Sequence, residues 1–272
     1  MINPLFITTP HSGTHVLCYS VGTLSQRHVS TPTRRIMTIP NAQDNKNDIH
    51  QTHLPAHREC SNVYNKLVLL TRTPVNLILR NITMSGDLTR ECGGAACLAH
   101  YDSRSIIKEK LNNLKECLST RERSENFALP TNKFEIEDFP ELMSDYRLKV
   151  HLGHGDIRHQ YLLLQFFDNW KGDKKIVFYN ELMNNPKETF SELELFFEER
   201  WDIDNFVKNI ESHHAYIHQY YNSHNNRENR KSMGQNSRKD GRYASMLNNN
   251  DKIELEKIYR NIHPYLYDKY LK

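Results

Sequence analysis

The chain has no long hydrophobic run and no recognisable leader at its N-terminus. Among its 272 residues, no apolar stretch approaches the roughly 18 residues that a membrane-spanning helix needs. The start lacks the basic segment and the apolar run of a secretory signal. The five cysteines form no Cys-x-x-Cys pair, and we interpret them as reduced thiols. We therefore expect a cytoplasmic protein without a membrane partner.

The cysteines do not provide enough ligands for a metal site. Cys92 and Cys97 flank a Gly-Gly-Ala-Ala stretch. A metal ion held there would need further ligands, and the sequence places none at a matching spacing. We therefore expect no metal.

The chain as a whole has little excess charge of either sign. The formal net charge is +3, with 38% hydrophobic and 25% charged residues, which is typical of a globular protein with a core. Basic residues are concentrated in the segment 224–243, which holds six Arg or Lys and two acidic residues among Asn, Ser and Gly. We interpret this segment as a surface loop. So small a net charge gives no reason to expect a nucleic acid partner.

Short apolar strands alternate with amphipathic helices along the sequence. The run Lys66–Thr71 is compact and apolar, as in a strand buried on both faces. Pro74 follows where the first turn of a helix tolerates proline. The alternation predicts an α/β fold, a single domain over residues 1–272 with a central parallel sheet flanked by helices. The predicted strands are Leu5–Thr9, Lys66–Thr71 and 175–180, and the predicted helices are 14–24, 104–118, 161–170, Pro186–Phe197 and 251–259.

The first predicted strand ends in the turn Pro10-His11-Ser12-Gly13-Thr14-His15, which leads into a helix. A helix start leaves backbone N–H groups unpaired and carries the positive end of the helix dipole, so it suits a phosphate. Gly13 lets the backbone approach a ligand, and the hydroxyls of Ser12 and Thr14 add donors. The turn lacks the first glycine and the Gly-Lys-Ser/Thr ending of a Walker phosphate loop. An ordinary capped strand-to-helix turn is the alternative.

Three further stretches accompany this turn. They are Gln51-Thr52-His53-Leu54-Pro55, then Arg72 with Pro74 after a strand, and then Tyr179-Asn180-Glu181-Leu182, which leads through Pro186 into an amphipathic helix. In order and spacing, the set resembles the sulfotransferases that use 3′-phosphoadenylyl sulfate (PAPS), most closely the cytosolic type. The resemblance implies a three-layer, P-loop-like fold. It also implies a transferase that moves a sulfuryl group from PAPS to a hydroxyl or amine of a small molecule.

The resemblance assigns the nucleotide contacts to two parts of the chain. The first is the set of motif residues: the turn would hold the 5′-phosphosulfate, Arg72 would hold the 3′-phosphate, and Tyr179 would border the adenine or pack in the core. Arg80 would add a second cation at the 3′-phosphate or point to solvent. These residues are His11, Ser12, Gly13, Thr14, His15, Val16, Arg72, Arg80 and Tyr179.

The second part is the basic segment 224–243, which looks like a lid over the 3′-phosphate. Within it, Arg238 and Lys239 are the predicted contacts, and Arg230 with Lys231 is the rival pair. The alternative is that the segment is only a solvated, charged loop.

By resemblance, His53 is the catalytic base, although it could also be an ordinary loop histidine. An imidazole with an ordinary pKa near ~6.5 keeps a neutral fraction at cytoplasmic pH. His11 stands where the family has a lysine that helps the leaving group depart, and a protonated imidazole could take over that catalytic role. This departure leaves open a catalytically impaired module that binds PAPS or its product PAP. A nucleotide-binding phosphotransferase of the P-loop type is the other alternative.

The acceptor pocket would come from the stretches between these motifs. One of them, residues 135–145, carries five acidic side chains. If that run lines the pocket, it favours a cationic small molecule, and if it does not, it is a solvated face. The sequence leaves both a monomer and a homodimer open.

Overall fold

The computed structural model describes residues 3–9, 12–30, 48–53, 64–77, 154–213 and 247–272. Several predictions fall elsewhere in the chain. The helix 104–118, the acidic run 135–145 and the basic segment 224–243 lie outside the described residues. The same is true of four predicted site residues, which are His11, Arg80, Arg238 and Lys239.

The core of the described structure is a five-stranded sheet in which every strand is parallel to its neighbours. The strand order is β2-β3-β1-β4-β5. The predicted α/β class with a parallel sheet and flanking helices is therefore confirmed. The strands are β1 Pro4–Thr8, β2 Val29–Ser30, β3 Ile49–Thr52, β4 Lys66–Thr71 and β5 Asp173–Phe178.

Both faces of the central strands are buried. Successive side chains of a strand point to opposite faces, and all residues of β1, β3 and β4 are buried. Leu5 and Phe6, for example, lie on opposite faces and neither is exposed to solvent. This double burial explains why β1 and β4 read as continuous apolar runs rather than as alternating patterns. The side chains of β5, which lies at one end of the strand order, are more exposed.

Helices α1, Thr14–Ser25, and α4, Pro186–Phe197, contribute to one apolar cluster with the sheet. Phe6 stacks on Phe197 with ring centroids 6.1 Å apart. Pro186 occupies the first turn of α4, where the missing N–H costs nothing. The buried members of the cluster include Phe6, Val16, Leu17, Val21, Ile49, Val68, Leu70, Val177, Phe190, Leu193 and Phe197.

The remaining helices are α2 His154–Asn169, α3 Tyr179–Asn184, α5 Ile203–Lys208, α6 Asn249–Ile262 and α7 Pro264–Tyr270. Asn248 and Asp251 form a reciprocal capping box at the start of α6. None of the helices in the described ranges is long and apolar enough to cross a membrane.

The chain divides into two compact units, Met1–Arg72 with Phe166–Arg238, and Thr73–Gln165 with Lys239–Lys272. The first unit contains the whole sheet. In the second unit, the hydroxyl of Tyr161 donates to the carbonyl of Tyr259, and the two rings are 5.9 Å apart. Burial raises the pKa of Tyr161 above its ordinary value. The expectation of a single domain stays a prediction.

Several element boundaries differ from the sequence predictions. Strand β5 ends at Phe178, and Tyr179 begins helix α3 instead of ending the strand. The predicted helix 161–170 begins earlier, at His154, and the last predicted helix is longer and is followed by α7. Strands β2 and β3 were not predicted, because one has two residues and the other, Ile-His-Gln-Thr, is mostly polar.

Candidate functional site

The predicted site residues that the structure describes follow the ends of four neighbouring strands. The turn Ser12–Thr14 comes after β1, His53 after β3, Arg72 after β4 and Tyr179 after β5. These strands are consecutive in the order β3-β1-β4-β5 and all are parallel. Their carboxyl ends therefore lie side by side. We call this row of C-terminal strand ends the site edge.

The site edge includes the point where the connections of the sheet change direction. After β1 the chain crosses to β2, the outer strand on one side of the sheet. After β4 it continues to β5, the outer strand on the opposite side. Ligands of open α/β sheets bind in the crevice beyond such a pair of strands. The turn after β1 and Arg72 after β4 stand on the two sides of this point.

Gly13 gives the turn after β1 its shape. Its φ of 88° is left-handed, a conformation that favours glycine, and helix α1 begins at the next residue, Thr14. The first N–H groups of a helix have no partner within the helix. The start of α1 therefore presents amides and a positive dipole end, which together suit an anion.

Threonines hold the turn to the end of β1, and one of them also bonds β4. The hydroxyl of Thr9 bonds the hydroxyl of Ser12 at 2.5 Å and that of Thr71 at 3.0 Å. The hydroxyls of Thr8 and Thr14 are 2.9 Å apart. Thr8 and Thr9 were not predicted as site residues. The signal available was the pair of threonines at the end of the first strand, where hydroxyls lie at the site edge.

His15 and Val16, in the first turn of α1, are placed differently from each other. The ring of His15 is 6.1 Å from that of Tyr19 and is partly buried. The side chain of Val16 is 6% exposed and belongs to the apolar cluster. A ligand at the turn would therefore meet the backbone of Val16 and not its side chain.

His53 is anchored to the end of β1. Its Nδ1 lies 2.7 Å from the carbonyl oxygen of Thr8 and 2.8 Å from the hydroxyl of Thr8. A carbonyl can only accept, so Nδ1 carries the proton and the lone pair of the neutral ring is on Nε2. That tautomer is the one in which Nε2 can take a proton from a substrate.

The environment of His53 also sets its charge. Burial lowers the pKa of His53 to about 4, although the hydrogen bond to the Thr8 carbonyl acts in the opposite direction. The neutral fraction is therefore larger than the one that an ordinary pKa near ~6.5 would give, and the ring is neutral near pH 7.

Arg72 and Tyr179 form a stacked pair. The guanidinium carbon of Arg72 is 3.8 Å from the centroid of the Tyr179 ring, within the range of a cation–π interaction. Arg72 is 1% exposed and Tyr179 is 2% exposed. The planar guanidinium has a fork of donors that matches a phosphate. The tyrosine ring lies against this guanidinium.

Comparison with protein-family models finds no match, and no curated protein matches the sequence. Within the described ranges, no group of three His, Cys, Asp or Glu residues could hold a metal ion. The site edge itself offers amides and hydroxyls after β1, an imidazole after β3 and a guanidinium after β4.

Proposed function

We propose that this protein transfers a sulfuryl group from PAPS to a hydroxyl or amine of a small molecule, with His53 as the general base. The fold we propose with it is the three-layer, P-loop-like fold of the sulfotransferases. The observation that carries the proposal is the anchoring of His53 on Thr8 beside the turn that suits a phosphate.

The spacing of the strands supports a ligand with phosphates at two positions. The start of α1 follows β1 and Arg72 follows its neighbour β4, so the two proposed phosphate contacts follow strands that are roughly 5 Å apart, and His53 follows β3 on the other side of β1. An adenine nucleotide with groups at its 5′ and 3′ positions can span such a distance. Its 5′-phosphosulfate would bind the start of α1, and its 3′-phosphate would bind Arg72.

The state of His53 supports its role as the base. The acceptor hydroxyl gives its proton to Nε2 of His53 while its oxygen forms the new bond to sulfur. The bond between sulfur and the bridging oxygen breaks, and its electron pair stays on the 5′-phosphate of PAP. The amides at the start of α1 stabilise the charge that develops on this phosphate. The residue predicted to assist the leaving group, His11, lies outside the described residues.

Two measurements test the proposal, PAP binding by calorimetry and transfer of labelled sulfate from PAPS to a panel of alcohols and amines. We expect His53→Ala to bind PAP nearly as well as the wild type but to lose transfer by about 100-fold or more. His28→Ala is the matched control, because the His28 side chain is 76% exposed and contacts Asp48 before β3. It should keep both properties.

The other outcomes contradict the proposal or identify a different function. A wild-type chain that does not bind PAP contradicts the proposal. Tight PAP binding with no transfer to any acceptor identifies a binding module that has lost turnover. Phosphoryl transfer that requires ATP and Mg²⁺ identifies a phosphotransferase, although the turn lacks the Gly-Lys-Ser/Thr ending that such enzymes use.

A further inference from the structure

Three side chains at the site edge form a continuous chain of hydrogen bonds. The Thr14 hydroxyl, at the first residue of α1, is 2.9 Å from the Thr8 hydroxyl. The Thr8 hydroxyl is 2.8 Å from Nδ1 of His53, and the Thr8 carbonyl is 2.7 Å from the same nitrogen. Thr8 thus contacts the catalytic histidine through two oxygens and contacts the start of α1 through one of them.

The direction of donation along these hydrogen bonds follows from His53, where the position of the proton is fixed. Nδ1 of His53 donates to the Thr8 carbonyl, so the Thr8 hydroxyl beside it receives a share of the same proton. The hydrogen of the Thr8 hydroxyl is then available to the oxygen of Thr14. The hydrogen of Thr14 is in turn available to an acceptor at the start of α1, where an anion would bind.

From this geometry we propose that Thr8 is a positioning residue that transmits the arrival of an anion at the start of α1 to His53. The inference rests on the proposed function, because it assigns that anion to the phosphosulfate of PAPS. Chains of hydrogen bonds polarise one another. An anion that accepts from Thr14 strengthens each donor in turn and stabilises a positive charge on the ring.

Within the part of the chain that the structure describes, the helix and strands next to His53 carry no acidic group that could do the same. Helix α1 contributes His15, β3 contributes His50, and the neighbouring strand β4 begins with Lys66 and is followed by Arg72. None of the residues in β1, α1, β3 or β4 is acidic. A partly buried ring with a pKa of about 4 is a weak base near neutral pH. The bound donor substrate would therefore supply the negative charge that makes His53 more basic, and the base would be strongest when the sulfuryl donor is in place.

The test is an NMR titration of the His53 ring, which is identified by the signal lost in His53→Gln. Its pKa is measured without ligand, with inorganic pyrophosphate and with PAP. We expect each saturating anion to raise the wild-type pKa by about one unit or more. The rise should persist in Thr8→Ser, which keeps the hydroxyl, and should fall to less than half in Thr8→Val.

Two further variants separate the hydrogen-bond chain from other effects. Thr23→Val removes a hydroxyl from the same helix, α1, and that exposed hydroxyl bonds the carbonyl of Tyr19 and contacts neither the turn nor His53. It should leave the rise intact. Thr14→Val breaks the chain without touching His53 and provides the same test if Thr8→Val fails to fold. The acid limb of the pH profile of transfer should move with the measured pKa in each variant.

An equal rise in Thr8→Val and wild type would mean that the anion acts directly through space, and it would overturn the inference. No rise with either anion would overturn it as well. A rise that depends on Thr8 with pyrophosphate, in a chain that does not bind PAP, would support the inference and contradict the proposed function. Sulfate transfer by a chain whose rise in the His53 pKa does not depend on Thr8 would support the proposed function and overturn the inference.

Discussion

The backbone of Gly13 lies directly against the ring of Tyr179. A Cβ atom added at position 13 would overlap two carbons of that ring. The guanidinium of Arg72 contacts the same ring, 3.8 Å from its centroid. The turn after β1 and the arginine after β4 therefore both contact a single aromatic side chain, which follows β5.

Substitution of Gly13 by alanine should destabilise the protein. The left-handed φ of 88° costs an alanine about 1–2 kcal/mol, and the overlap with Tyr179 adds to that cost because one group must move. Urea unfolding measures the loss of unfolding free energy. The loss is given by the shift of the unfolding midpoint when the slope of free energy against urea concentration is unchanged.

Tyr179→Ala provides the matched background for this substitution. Without the ring, Gly13→Ala should cost only the backbone term, so the two substitutions should be clearly non-additive. Equal costs of Gly13→Ala in both backgrounds would show that the ring of Tyr179 does not limit the space at Gly13.

Substitution of Arg72 by lysine should weaken the binding of PAP by about 10- to 100-fold, because a lysine cannot make two parallel hydrogen bonds to one phosphate. The comparison ligand is adenosine 5′-phosphosulfate, which has no 3′-phosphate. Its affinity should change little. Calorimetry with both ligands makes the measurement, and equal losses for the two would show that Arg72 does not contact the 3′-phosphate.

Substitution of Gln51 by methionine should raise the stability of the protein. Gln51 is fully buried in β3, and neither its amide oxygen nor its amide nitrogen has a hydrogen-bond partner among the described residues. Such groups cost roughly 1–3 kcal/mol each when they lose water. Methionine has a similar length and no such cost, so we expect a gain of about 1 kcal/mol or more in chemical denaturation.

Gln51→Glu is the opposite substitution at the same site. It places a carboxyl group in the same buried position and should destabilise the protein strongly at neutral pH. A loss of stability in Gln51→Met would mean that the amide makes a stabilising contact after all.

The sequence predicted the strands with the strongest apolar signal. β1 and β4 are buried on both faces, so their composition alone identifies them. β3 has no such signal, because it buries His50, Gln51 and Thr52, and its position depends on pairing with β1. Contacts between distant residues decide where such a strand lies.

The same distinction applies to the site edge. The position of Arg72 at the carboxyl end of β4 could be expected from the apolar run before it, whereas the strand before His53, β3, was not predicted. The role of Thr8 could not be expected either, because it depends on the register that brings Thr8 and His53 together across two strands. The lowered pKa of His53 also depends on burial, which the motif does not specify.

The pH dependence of stability should report the lowered pKa of His53 in the folded protein. In the unfolded chain a histidine has a pKa near ~6.5, whereas burial lowers the pKa of folded His53 to about 4. Above pH 6.5 both states are neutral and His53 has no effect on the pH dependence. As the pH falls from about 6.5 to 4, the unfolded chain binds a proton first, and up to about 3 kcal/mol of stability is lost.

His53→Gln removes this titration while keeping a neutral side chain that can form hydrogen bonds. The unfolding free energies of wild type and His53→Gln, measured in urea between about pH 7 and pH 4, should therefore converge or cross as the pH falls. A difference that stays constant over this range would contradict the lowered pKa. A difference that grows in favour of the wild type on acidification would mean that the folded state stabilises the charged ring, because the unfolded chain would then bind the proton later.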